Sequence, residues 1–126
     1  MLKIIDNNNS KIVGLIWFFK GLPYSEGCEI AFNIYNKKQA KGLTVEAINV
    51  FSSYLFETYN LNRIQANTVI PKDHPSIRNI TSETGYVYEG TMRKAMFIRG
   101  KIIDLHLFSL LKEDSKPLQA QLIESN

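Results

Sequence analysis

Two periodicities take turns along this chain. Between Cys28 and Tyr35, Ile30, Phe32 and Ile34 alternate with Glu29, Ala31 and Asn33, the period of two of a strand with unlike faces. From Thr44 to Tyr59 the apolar positions Val45, Ile48, Phe51, Leu55 and Tyr59 recur at spacings of three and four, a single helical stripe that no Gly or Pro interrupts. Upstream, Leu2 to Asp6 is a short apolar run, and Asn7-Asn8-Asn9-Ser10 supplies side chains that bond their own backbone in a turn. Lys11 to Lys20 is then a strand too continuously apolar to leave a face in water, which predicts a central place in a sheet. Gly21 to Gly27 reads as a loop returning to the Cys28 strand. Downstream of the helix, Arg63 to Val69 reads as a strand parallel to that of Cys28, since a helical crossover separates them. Asp73-His74-Pro75-Ser76 reads as the start of a second helix carrying Ile77, Ile80 and Thr84, with Gly85 at its C-terminal cap. Tyr86 to Ile98, the turn Arg99-Gly100 and Lys101 to Leu111 make a closing hairpin.

The predicted order is β-β-β-α-β-α-β-β, an α+β fold on a mixed, mostly antiparallel sheet. Residues 1–112 form one domain, and the polar segment 113–126, with Pro117, forms a tail. At 126 residues, 44% apolar and 21% charged, the chain has material for one core. The apolar run Ile12 to Phe19 is far shorter than the ~20 residues that span a bilayer, and no leader-like segment opens the chain, so a cytoplasmic protein is expected. Cys28 is the only cysteine, which excludes an internal disulfide and a multi-cysteine metal site; it reads as a packed strand residue, and no metal is expected. A net charge of +3 favours anionic partners. Nucleic acid ranks third among the readings, because no zinc-ligand spacing or glycine-aromatic strand motif accompanies the charge.

The positive charge is densest in Asn36-Lys37-Lys38-Gln39-Ala40-Lys41-Gly42-Leu43-Thr44, between the Cys28 strand and the long helix. Gly42 lets the backbone turn there, and the first amides of the helix have no intrahelical acceptor. With the helix dipole and the lysines, this loop suits a phosphate or pyrophosphate. An ordinary basic turn with a solvated face is the alternative.

Three stretches together resemble the GNAT superfamily of N-acetyltransferases, in particular the branch that holds the ribosomal-protein N-terminal acetyltransferases. Glu29-Ile30-Ala31-Phe32-Asn33-Ile34 resembles that branch's fourth strand. Gln39-Ala40-Lys41-Gly42-Leu43-Thr44 resembles its pyrophosphate motif, Q/R-x-x-G-x-G/A. Gly85-Tyr86, Glu89-Gly90-Thr91-Met92-Arg93 and Gly100 to Asp104 resemble its closing hairpin. The resemblance implies acetyl-coenzyme A as co-substrate, seated between the Cys28 and Arg63 strands. Phe32, Asn33 and Ile34 would lie along the acyl end, the amides of Gln39, Ala40, Lys41, Gly42, Leu43 and Thr44 would hold the pyrophosphate, and Asp73 and Ser76 would stand near the pantetheine arm or thiol. A backbone amide near Asn33 or Ile34 would polarise the carbonyl. Glu29 has two readings, the base that deprotonates the amine or a surface strand carboxylate. Ser76 is the second candidate catalytic residue.

Departures from the family pattern are specific. Thr44 stands where the family has Gly or Ala, and Asp73 where it has Asn, which replaces a donor by a group that only accepts when ionised. Ile80 occupies the region of the usual thiolate-protonating tyrosine, Tyr86 and Tyr88 read as packing residues, and His74 is given no role. The family's first strand and two helices, which wall the acceptor pocket, have no counterpart here, and the acceptor amine is left undefined. The leading expectation is an acetyl-coenzyme A-dependent N-acetyltransferase acting on a protein N-terminus or a small amine. The alternative is a non-catalytic or truncated coenzyme A-binding or assembly module, self-associating as a homo-oligomer (a dimer) through the Leu2 and Lys11 strands.

Overall fold

The computed structural model describes residues 2–19, 27–34 and 42–116. Strands β1 (Leu2–Asp6) and β2 (Lys11–Phe19) form the expected hairpin. Its turn is closed by Ser10 N–H donating to the Asp6 carbonyl at 2.8 Å, and by Asp6 Oδ1 and Asn9 Oδ1 accepting from the amides of Asn8 and Lys11. The remaining elements are β3 (Gly27–Ile34), α1 (Leu43–Thr58), β4 (Arg63–Thr68), α2 (Pro75–Thr84), β5 (Val87–Ile98) and β6 (Lys101–Leu111). Each element expected from the periodicities is present, with ends moved by a residue or two. Its strands lie in one sheet in the order β1-β2-β3-β4-β6-β5. β2 is interior, as its apolar run requires, so of the two strands expected to offer an edge only β1 does.

β3 and β4 are the only parallel neighbours among the described strands. Alternation along them sorts side chains into two faces. Cys28, Ile30 and Ile64 point to the helical side and are almost wholly buried. There they meet Ile48, Phe51 and Leu55 of α1 and Ile77 of α2 in one core. Phe18 joins them from β2, its ring 6.0 Å from that of Phe51 and 5.3 Å from that of Tyr59. Burial of such side chains contributes roughly 1.5–3 kcal/mol each, which is what holds α1 to the sheet. The opposite face carries Leu15, Trp17, Glu29, Ala31, Gln65 and Asn67, none of them fully buried.

Two local features set the shape of the sheet. At Gly14 a Cβ would stand 2.5 Å from the Asn33 carbonyl oxygen, so glycine is what lets β2 lie so close to the far end of β3. On the other side of the sheet, β4 pairs with β6 only from His106 to Leu111, leaving residues 92–105 as a two-stranded arm. In that arm Arg93, Lys94 and Ala95 lie opposite Asp104 alone. Lys94 is left-handed (φ 53°), its N–H donating to Asp104 Oδ1 at 2.8 Å. The start of the expected tail is tied down, with Lys112 N–H on the Asn62 carbonyl and Ser53 Oγ donating to the Lys116 carbonyl at 2.6 Å.

Candidate functional site

The parallel ladder between β3 and β4 runs from Gly27↔Arg63 to Ile30↔Ala66 and stops, while β3 continues to Ile34 and β4 to Thr68. Past Ile30 the two strands part. Backbone groups on the facing edges of a parted pair have no ladder partner and are open to a ligand. The parting forms a cleft of about 870 Å³, lined from β3 by Ile30, Ala31, Phe32 and Ile34 and from β4 by Ala66, Asn67 and Thr68. Because these neighbours alternate in direction, residues of both sheet faces border it, and the cleft passes through the sheet.

Both helices begin at this cleft, and their beginnings differ. At the N-terminus of α1 stands Gly42, with φ 83° and no side-chain cap, and its carbonyl accepts the Glu46 amide. Among the described residues, the amides of Leu43, Thr44 and Val45 thus have neither an intrahelical acceptor nor a capping side chain. Thr44 borders the cleft, Leu43 packs against the core and Gly42 is exposed. The start of α2 is closed. His74 Nδ1 accepts from the Ser76 amide at 3.2 Å and lies 2.8 Å from Ser76 Oγ, with Pro75 at the first helical position. Accepting the amide makes Nδ1 the unprotonated nitrogen, so the Ser76 hydroxyl donates to it and keeps its lone pairs for the cleft.

The expected site residues therefore separate. Phe32, Ile34, Thr44 and Ser76 border the cleft, whereas Asn33 is exposed on the opposite face of β3. Asp73 does not border it: its carboxylate lies 3.6 Å from Arg78 Nη2 on an exposed surface, and the helix is capped by the next residue instead. Gln39, Ala40 and Lys41, with Lys37 and Lys38, lie outside the described residues.

Glu29 sits on the last rungs of the paired segment. Its Oε1 accepts from Asn67 Nδ2 at 3.1 Å, which ties it to a residue of the cleft wall. Burial raises its pKa above the usual carboxylate value. Tyr86 also borders the cleft. Its hydroxyl shares a 2.8 Å hydrogen bond with Ser52 of α1, and burial pushes the phenol far up, so it stays neutral across the physiological range.

Sequence reasoning missed His74, Asn67 and Tyr86. The signal for His74 was its place directly before a proline in the first turn of a helix, which is the capping position. Asn67 and Tyr86 are brought to the cleft by strand register and by helix packing, which no short-range pattern carries.

The arrangement joins an apolar slot in the sheet to an uncapped helix start, with a hydroxyl on one wall and a carboxylate hydrogen-bonded to a residue of the other. That suits a long ligand with an anionic portion and a reactive end. A model of the acetyltransferase (GNAT) domain matches residues 3–107. The uncharacterized N-acetyltransferase p20 of Bacillus licheniformis is 32% identical over 111 residues, covering 88% of this chain and 61% of the relative. The crystal structure of ribosomal-protein-S5-alanine acetyltransferase from Vibrio fischeri superposes with a TM-score of 0.72 at 30% identity, over 90% of this chain and 61% of that one. Mycobacterium smegmatis RimJ, solved in complex with CoA-disulfide, shares the fold, with a TM-score of 0.74 at 18% identity over 93% of this chain and 56% of that one. The chain thus spans about three-fifths of the length of these proteins.

Proposed function

The chain belongs to the GNAT acetyltransferase family, and on that premise we propose that it binds acetyl-coenzyme A between β3 and β4 and transfers the acetyl group to an amine. The observation that carries the reading is the parting of the strands after Ile30↔Ala66, which opens an 870 Å³ cleft beside the uncapped start of α1. The pantetheine arm takes the apolar slot, and the pyrophosphate takes the free amides at Leu43 to Val45, where backbone N–H groups and helix dipole act together. Past Ile30, the β3 backbone supplies an amide to the thioester carbonyl.

In the reaction an amine nitrogen attacks the carbonyl carbon, a C–N bond forms, the C–S bond breaks, and the thiolate leaves. Glu29 removes the proton from the ammonium. A carboxylate whose pKa is raised is a better base. Ser76 faces the cleft with its hydroxyl committed to His74, so it binds the arm as an acceptor and reaches the thiolate as a donor only by releasing His74. Holding amine and thioester together is the larger part of the rate enhancement, and a protein N-terminus or a small amine meets the chemistry of the rim equally.

A second reading, a coenzyme A-binding module that assembles with other chains, is favoured by one observation. Both helices pack on one face of the sheet, and Trp17 and Leu15 on the other are only half-buried.

Calorimetry with acetyl-coenzyme A on the wild type and on Gly42→Glu tests the donor site. The variant places a carboxylate at the helix start and a side chain at φ 83°, and its affinity is expected to fall about 100-fold, near 2.7 kcal/mol. Absence of binding by the wild type would sink the proposal. Thiol release with a panel of amines then separates the two readings, since the assembly module gives none.

A further inference from the structure

Glu29 is held by a side chain of the cleft wall. Asn67 Nδ2 donates to Glu29 Oε1 at 3.1 Å, and Asn67 Oδ1 accepts from Gln65 Nε2 at 3.2 Å. Gln65 lies directly opposite Glu29 in the parallel register, two residues before Asn67 on the same face of β4. Among the described residues of the neighbouring strands, little charge faces Glu29. β2 sets Phe19 against Glu29, β6 sets Ser109 beside Gln65 and Leu107 beside Asn67, and Arg63 is the charge that β4 adds to this face. Among the described residues Oε2 of Glu29 has no hydrogen-bond partner.

A donated hydrogen bond favours the ionised carboxylate, and an amide whose own oxygen is already occupied can present only its N–H₂. The Gln65 bond therefore fixes which end of the Asn67 amide meets Glu29. Asn67 also borders the cleft, so one side chain joins the cleft wall to the Glu29 carboxylate.

We infer that Asn67 is a positioning residue: held by Gln65, its amide orients the Glu29 carboxylate beside the cleft wall and keeps it ionised, leaving Oε2 for the acceptor ammonium. This rests on Glu29 being the base.

The test is a carbon-detected NMR titration of the Glu29 side-chain carboxyl in the full chain, for the wild type, Asn67→Ala and Gln65→Ala, with the pH profile of kcat/KM on the same proteins and on Glu29→Gln. Loss of a hydrogen bond to a charged group raises the Glu29 midpoint in Asn67→Ala by about one pH unit, and less in Gln65→Ala. The acid limb of the kcat/KM profile moves up by the same amount, and Asn67→Ala leaves the profile of Glu29→Gln unchanged. A Glu29 midpoint that stays in place in a folded Asn67→Ala overturns the inference. If the midpoint moves but Glu29→Gln retains the wild-type acid limb, the contact stands and it is the assignment of the base that falls.

Discussion

At one end of the β3–β4 pair Cys28 faces Ile64, both are 0% exposed, and α1 covers them; at the other end, past Ile30 and Ala66, the same strands separate around a cleft. The residues differ little in kind, each end alternating apolar and polar positions. What differs is whether the edges are joined. Where they are joined, side chains close over each other and the segment contributes stability. Where they part, unpaired backbone and apolar walls are left for a ligand to complete. Substitutions at the two ends are therefore expected to separate stability from binding.

The largest effect falls at the joined end. Ile64→Ala removes a wholly buried side chain and is expected to lower unfolding free energy by about 2–5 kcal/mol. Chemical denaturation measures this. Acetyl-coenzyme A affinity, taken below the unfolding transition, is expected to stay within about threefold; a loss comparable to that of Gly42→Glu would mean that the two ends are not separable.

His74→Ala, at the parted end, probes the opposite balance. It removes the α2 cap and is expected to cost about 1 kcal/mol, read as a drop of a few degrees in Tm. It also frees the Ser76 hydroxyl, so binding is kept or improved while α2 weakens.

The smallest effect belongs to Glu29, on the boundary. Its folded-state pKa is raised by burial, so its contribution to stability is full below the unfolded value and is lost as pH rises through the folded one. The Tm of Glu29→Gln is therefore expected to gain on that of the wild type as pH rises above the usual carboxylate range, by no more than about 3 °C for so exposed a group. Calorimetric scans at several pH values detect it; a difference that shrinks with rising pH would show the carboxylate to be stabilising when ionised.

How far these roles were legible in the sequence depends on the range of the interaction behind each. Ile30, Phe32 and Ile34 announce β3 by alternation, and the stripe from Val45 to Leu55 announces α1, because both patterns act within a few residues. Gly85 at the end of α2, with φ 84°, was equally readable. The cleft was legible only by resemblance. Nothing within β3 or β4 says that pairing ends at Ile30↔Ala66, since the alternation that marks each strand continues past that rung. The assignment of Asp73 to the cleft was an alignment of letters. In this chain the helix start is governed by His74 and Pro75, and Asp73 is left on the surface with Arg78. Asn67 was read as one residue of an alternating strand, and its partner Glu29 is 38 positions away.

The β5–β6 arm carries a consequence of another sort. Among the described strands, residues 92–105 have only each other for pairing, and two strands alone are marginal in water. Phe97 is 74% exposed and Ile102 62%, so little apolar burial resists their separation. Opening the arm breaks no contact of the core, and its amides therefore exchange with solvent through local fraying at a free energy well below that of global unfolding. From His106 onward β6 is braced by β4 as well, and protection rises along a single strand, making the arm and the body two cooperative units of one sheet.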